Sequence, residues 1–262
     1  MAVYSRKGWL RWHLLGREHP IVICGKDEAL SRLPELASTA GFKLDRCGLI
    51  LIKPNVCGLY HPSLNLLQGL LEYLEPRADR VIIGETRSAL HNPEEQFERL
   101  GIRKLVGRFG GRVEALDLSA DRRVRVDVPN PHALRELELP ETLIEADVLI
   151  NVPKVGRHPT TVLTNALKNL FGLLPHKHKY IRYHPLGVDN VIADIAQVVR
   201  PDLNVVDVGD KVMLGVDALR VDVVACKFLG LDPLRVKHLR LVSEDRGNEL
   251  EELVEGISIL EL

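Results

Sequence analysis

GLILIKP, residues 48–54, is an apolar run without polar alternation that stops at Lys53 and Pro54. A strand with one wet face alternates. A strand apolar on both faces belongs inside a parallel sheet covered by helices. The segments on either side agree. PIVICGK (20–26) is a short β-branched run, and DEALSRLPELASTAG after it has helical spacing with Gly41 as its stop. SLNLLQGLLEYLE follows the second strand as an amphipathic helix, and RVIIGE (80–85) is a third strand. NPEEQFERLGIRKLVGRFG then reads as helix, with Asn92 as N-cap and Pro93 at the first helical position. Farther along, ADVLINVPK (146–154) and LNVVDVGD (203–210) return to buried-strand texture. Helices are predicted at VLTNALKNLFGLL, VDNVIADIAQVVR, VDVVACKFLG and DPLRVKHLRLVSE, before an apolar tail, ISILEL. This rhythm predicts an α/β, Rossmann-like fold: an open, mostly parallel sheet with helices on both faces. Between 111 and 139 the polar–apolar alternation of GRVEALDLS, RRVRVDVP and ALRELELP predicts a small antiparallel insert, or flap. The expected organisation is one α/β domain over 20–262, preceded by an extension, 1–19, to which Trp9 and Trp12 give an amphipathic pattern.

The 262 residues carry 45% hydrophobic and 27% charged residues, with 35 Lys+Arg against 36 Asp+Glu and a formal charge of -1. A balanced charge excludes a general polycationic coat for nucleic acid, so any basic site is local. Cys24, Cys47, Cys57 and Cys226 form no C-x-x-C pair. Cys24, Cys47 and Cys226 point to core thiols in a reducing compartment, Cys57 falls in a loop open to exposure, and no iron–sulfur cluster is expected. No secretory signal or run of membrane-spanning length is seen, and the expected location is the cytoplasm. Scarce glutamine beside plentiful charge suggests a thermophile.

Ligands of open parallel sheets bind at the carboxyl ends of the strands. Lys53 and Asn55 stand at one such exit, Glu85 and Arg87 at the next, and Lys154 with Arg157 and His158 beyond the strand at 147–152. Asp207 and Asp210 stand at the last exit. Each lysine alone reads as half of an ion pair with Glu85 or Asp207; four such ends on one rim read as a site. In the helix that follows, Leu163, Leu167, Leu170 and Leu174 make a core-facing stripe. Thr161, Thr164, Asn165, Lys168 and Asn169 occupy the rest, a surface suited to hydrogen-bonding a ligand or to packing on a second subunit. The N-terminus of this helix stands to receive an anion. PHKHKYIRYH (175–184) reads as a basic loop that attracts phosphate or carboxylate, and its His-x-His spacing also suits a metal.

The strand-KPN at 53–55, IIGE at 82–85, EADVLINVPK at 145–154, His158, LTNALKNLFGLLP at 163–175 and PDLNVVD at 201–207 resemble the family catalogued as domain of unknown function 362. The ferredoxin-like cysteine cluster carried by many members is missing. More distantly, the chain resembles the N-terminal domain of nickel-pincer lactate racemases. Their histidine, lysine ten residues on and histidine sixteen beyond match His158, Lys168 and His184. That resemblance implies His158 as proton-abstracting base, Lys168 as cofactor-linking residue, His184 as a nickel-type metal ligand and His91 as the second catalytic histidine. It implies racemase- or isomerase-like proton transfer.

The expected function is therefore an enzyme on a small anionic metabolite. His158 and Lys168 would perform acid–base or nucleophilic chemistry, and Lys53, Asn55 and Glu85 would orient the ligand. Two other readings stand beside it. In one, 176–184 grips the phosphates of RNA or a nucleotide, with Tyr180 and Tyr183 for stacking. In the other, the polar helix face is the seam of a non-catalytic homodimer.

Overall fold

The computed structural model describes residues 19–58 and 60–262. The extension with Trp9 and Trp12 lies outside the described residues. Twelve strands are described: β1 (Ile21–Gly25), β2 (Cys47–Pro54), β3 (Ala78–Glu85), β4 (Val113–Asp117), β5 (Arg123–Asp127), β6 (Glu136–Pro140), β7 (Val148–Val152), β8 (Gly156–His158), β9 (Val162–Thr164), β10 (Leu203–Asp207), β11 (Lys211–Gly215) and β12 (Ile259–Glu261). Eight of them form one sheet in the order β12–β1–β11–β10–β7–β2–β3–β4. β4, β3, β2, β7 and β10 run parallel, β11 is antiparallel to both β10 and β1, and β12 is parallel to β1.

The double-sided burial expected of GLILIKP follows from the period of two along a strand. Ile50 and Ile52 join the core beneath helices Lys26–Thr39 and Leu64–Leu74, whereas Leu51 joins the core on the opposite face with Leu149 and Leu170. Helices Val188–Val198, Ala218–Phe228 and Lys237–Asp245 cover that second face. The fold is α/β, with a mostly parallel sheet between two helical layers.

Four segments differ from their sequence reading. GRVEALDLS supplies β4, a parallel edge strand of the main sheet; the antiparallel insert is the β5–β6 pair, whose Val124, Leu137 and Leu139 are buried against the second face. A half-wet edge strand alternates like a flap strand, and alternation cannot tell the two apart. The helix predicted from 92 to 110 breaks into Pro93–Arg99 and Ile102–Val106 at Gly101, whose φ of 76° is left-handed. Asn92 does cap it, accepting from the Glu94 N–H at 3.1 Å. KVMLG forms β11. ISILEL, read as a tail, contributes β12 against β1.

The fourth concerns the site. The helix predicted over 162–174 spans only Ala166–Leu170 plus one 3₁₀ turn, Phe171–Leu173, and the residues before it make the β8–β9 hairpin. Leu163, Leu167, Leu170 and Leu174 are nonetheless all buried. The helix starts late because the Asp222 carboxylate accepts from the N–H groups of Ala166 (2.8 Å) and Leu167 (3.0 Å), fixing its first turn.

Candidate functional site

A chain of buried polar side chains crosses the sheet near its carboxyl rim. Lys53 Nζ donates to Glu85 Oε2 and to Asn169 Oδ1, both at 3.0 Å. Asn169 Nδ2 donates to the Lys53 carbonyl (3.0 Å) and to Asn151 Oδ1 (2.8 Å). Asn151 Nδ2 reaches the Ala166 carbonyl (3.0 Å) and Asn204 Oδ1 (2.8 Å), and Asn204 Nδ2 ends on the Gly215 carbonyl at 3.0 Å. The Glu85 carboxylate also accepts from the Thr86 and Val56 N–H groups, at 2.9 and 3.2 Å. Buried charges and amides are tolerable when satisfied in this way. Gly172 permits the close approach: a Cβ there would sit 2.8 Å from Lys53 Nζ. The network straps the short helix to the strand ends through Asn169.

Beside that strap lies a cavity of about 300 Å³, lined on its polar side by His158, Thr164, Lys168, Asn169, Glu85 and His184. Asn55 and His91 line it as well, with Cys57, Tyr60, Thr86, Phe171, Lys179 and Tyr180. Lys168 pairs with no acceptor or carboxylate among the described residues. Burial pushes its amine down to about 8, with Asp189 opposing. His158 falls to about 4, first through burial and then through the neighbouring charge of Lys168. It is a neutral imidazole at neutral pH. Its Nδ1 accepts from the N–H groups of Thr160 and Thr161, both at 3.3 Å, which leaves the ring proton on Nε2. Val162, the first residue after the turn that aims those N–H groups, stands at φ 63°, a strained conformation for a β-branched residue.

The other expected site residues are placed as follows. His184 stacks on Tyr180, with ring centroids 3.9 Å apart, and burial and Lys168 both lower its pKa. His91 Nδ1 lies 3.5 Å from Ser88 Oγ at the cavity's edge. Lys53 is fully enclosed in its ion pair with Glu85, and the cavity meets only the carboxylate partner. Lys154 turns to Asp207 at 3.7 Å, a carboxylate that Lys26 already engages with both oxygens at 3.0 Å. Arg87 pairs with Asp117 at 3.2 Å. Thr161 donates to the Leu163 carbonyl, and the Asn165 amide lies beside Asp222. Lys53, Lys154, Arg87, Thr161 and Asn165 are outside the cavity lining; local partners hold the first four, whereas the buried Asn165 amide makes no hydrogen bond among the described residues. The helix N-terminus expected to receive an anion is occupied by Asp222, whose carboxyl burial pushes up to about 7.

Lys179, which the sequence reading placed in the basic loop 176–184 and not among the residues of the helix site, lines the cavity. The segment read as a basic loop folds into the helix Lys179–Tyr183, with Lys179 and Tyr183 buried on one face. That i, i+4 pairing was the available signal. Lys179 Nζ donates to Thr86 Oγ1 at 2.5 Å and to the Gly172 carbonyl at 3.2 Å, and burial lowers it to about 8. His176 pairs with Glu138 at 3.1 Å, while Lys177, His178 and Arg182 face outward. Burial drives the Cys57 thiol up to about 12, so it is inert as a nucleophile at neutral pH.

Among the described residues no group of three His, Cys, Asp or Glu side chains could hold a metal ion, and no helix is long and apolar enough to cross a membrane. His184 has the Tyr180 ring on its face and Lys168 as its charged neighbour.

The family described as Domain of unknown function (DUF362) matches residues 50–215. The chain belongs to that family. All the cavity-lining residues of this DUF362 member fall within the matched span, whereas Asp222 lies beyond it. The chain is 30% identical over 120 residues to Thylakoid-associated protein sll1697 of Synechocystis sp. (strain ATCC 27184 / PCC 6803 / Kazusa), covering 40% of this chain and 37% of that protein. It thus spans little more than a third of that relative's length. Two solved structures are similar. The lactate racemase apoprotein from Thermoanaerobacterium thermosaccharolyticum has 15% identity and a TM-score of 0.48 over 79% of this chain and 56% of that one. A protein from Thermotoga maritima has 16% identity and a TM-score of 0.49 over 78% of this chain and 59% of that one.

Proposed function

We propose that the cavity binds a small anionic metabolite and carries out proton transfer on it through Lys168 and His158. One observation carries the reading: an ammonium with no partner among the described residues and a neutral imidazole line the same half-open cavity, with pKa values of about 8 and about 4. An amine near 8 is mostly protonated at pH 7 yet releases its proton at small cost, the property wanted of a general acid–base. Lys168 supplies the countercharge for a carboxylate or phosphate. His158, with its proton on Nε2, donates a hydrogen bond to an oxygen on which negative charge develops. The same partner-free amine is also available to a carbonyl-bearing cofactor.

The test is exchange in D₂O. The protein is incubated with a panel of 2-hydroxy acids, and loss of the C2-bound proton next to the carboxylate is followed by NMR. Exchange that disappears in Lys168→Met and falls in His158→Gln supports the proposal. Binding without exchange for every acid would reduce the site to an anion receptor.

A further inference from the structure

Resting on that reading of the cavity, we infer that its ligand is a dianion, held by two acid groups between Lys168 and Lys179. The two amines come from different walls, helix Ala166–Leu170 and helix Lys179–Tyr183, and both line the cavity. An ammonium has three donors. Lys179 gives one to Thr86 and one to the Gly172 carbonyl, and its third is unassigned among the described residues. Lys168 gives none to any described residue.

Glu85 is the acidic residue among the lining side chains, and its charge is already balanced by Lys53 at 3.0 Å. Its oxygens also accept from Thr86 and Val56. Around Lys168 the charged and titratable groups are Asp189, His158, His184 and His238, and Asp189 is tied to His238 Nδ1 at 2.7 Å. Around Lys179 they are Glu85, Lys53, Cys57 and Asp117, and Asp117 is paired with Arg87. The cavity therefore carries two ammoniums whose neighbouring carboxylates are engaged elsewhere. A monoanion neutralises one and leaves the other buried without a counterion, an arrangement that costs free energy. Two acid groups satisfy both.

The experiment is calorimetric titration of the whole protein at pH 8 with propionate, succinate and glutarate, repeated in buffers of different ionisation heat. At pH 8 two amines of pKa about 8 are each half protonated. A ligand that completes both takes up about one proton, and a ligand that completes one takes up about half. His158, near 4, stays neutral and adds nothing. Succinate or glutarate is expected to bind at least about tenfold more tightly than propionate, with the larger proton uptake. Lys179→Met is expected to reduce the dianion's affinity to that of propionate while leaving propionate bound. If Lys179→Met fails to fold, the proton count on the unaltered protein still decides. Equal affinity and equal proton uptake for the mono- and dianions would overturn the dianion inference and leave an anion site. No binding of any of the three would overturn the anion reading itself.

Discussion

Replacing Lys168 with methionine should make the protein more stable, not less. Methionine keeps much of the side chain's length and removes the charge. In the fold the Lys168 amine has its pKa lowered from 10.5 to about 8, chiefly by burial. At about 1.4 kcal/mol per tenfold change in proton affinity, holding the protonated form in that position costs a ceiling of about 3 kcal/mol. The side chain keeps partial solvent contact, and screening brings the expected effect to about 1–2 kcal/mol. The direction with pH follows from proton binding. Below pH 8 the amine is charged in both folded and unfolded chains, and the fold bears the full penalty. Between about 8 and 10.5 the unfolded chain holds the proton and the folded one does not, so wild-type stability rises relative to the variant. Urea unfolding at pH 7 and pH 10 measures this. The Lys168→Met midpoint should lie above wild type at pH 7, with the gap mostly closed at pH 10. A variant less stable at pH 7, or a gap indifferent to pH, would mean that Lys168 has a structural partner and is not an amine held ready for a ligand.

Two further outcomes follow from the network beneath the cavity. Lys53→Met strands the Glu85 carboxylate, buried at 2% exposure, and should cost about 3–5 kcal/mol in denaturant unfolding. The double variant Lys53→Met/Glu85→Gln should recover a large part of that, and a double variant as unstable as the single one would refute the ion-pair account. Asp222→Ala removes the acceptor of the Ala166 and Leu167 N–H groups and should cost about 1–3 kcal/mol by thermal unfolding. Asp222→Asn, which keeps one acceptor oxygen, should lose less than half as much.

The parallel sheet was legible because GLILIKP, RVIIGE and ADVLINVPK are apolar on both faces, and only a doubly covered strand has that composition. The gathering of His158, Lys168, His184 and His91 around one space was legible in part: strand exits and the leucine stripe locate the rim and the helix. Which rim residues face the cavity was not legible, because that choice is made by long-range partners. Lys53 and Lys154 are the same residue type at equivalent strand exits as any ligand-binding lysine, but Glu85 and Asp207 claim them from other strands. Asp222 lies 56 residues from the helix it caps and displaces the anion expected there. Lys179 sits among six basic residues in ten, and its i, i+4 spacing from Tyr183 is the one local feature that marks it as turning inward to Thr86. β11 and β12 were hidden because each is short and pairs with β1, far away in sequence.

The account stands most directly on the state of the Lys168 amine. NMR of protein labelled at the lysine side-chain carbons, with Lys168→Arg to assign the resonance, gives its titration curve with and without succinate. The account predicts a midpoint close to 8 in the free protein and a clear upward displacement when the anion is added. A midpoint at the ordinary lysine value of 10.5, unmoved by any anion, would contradict it.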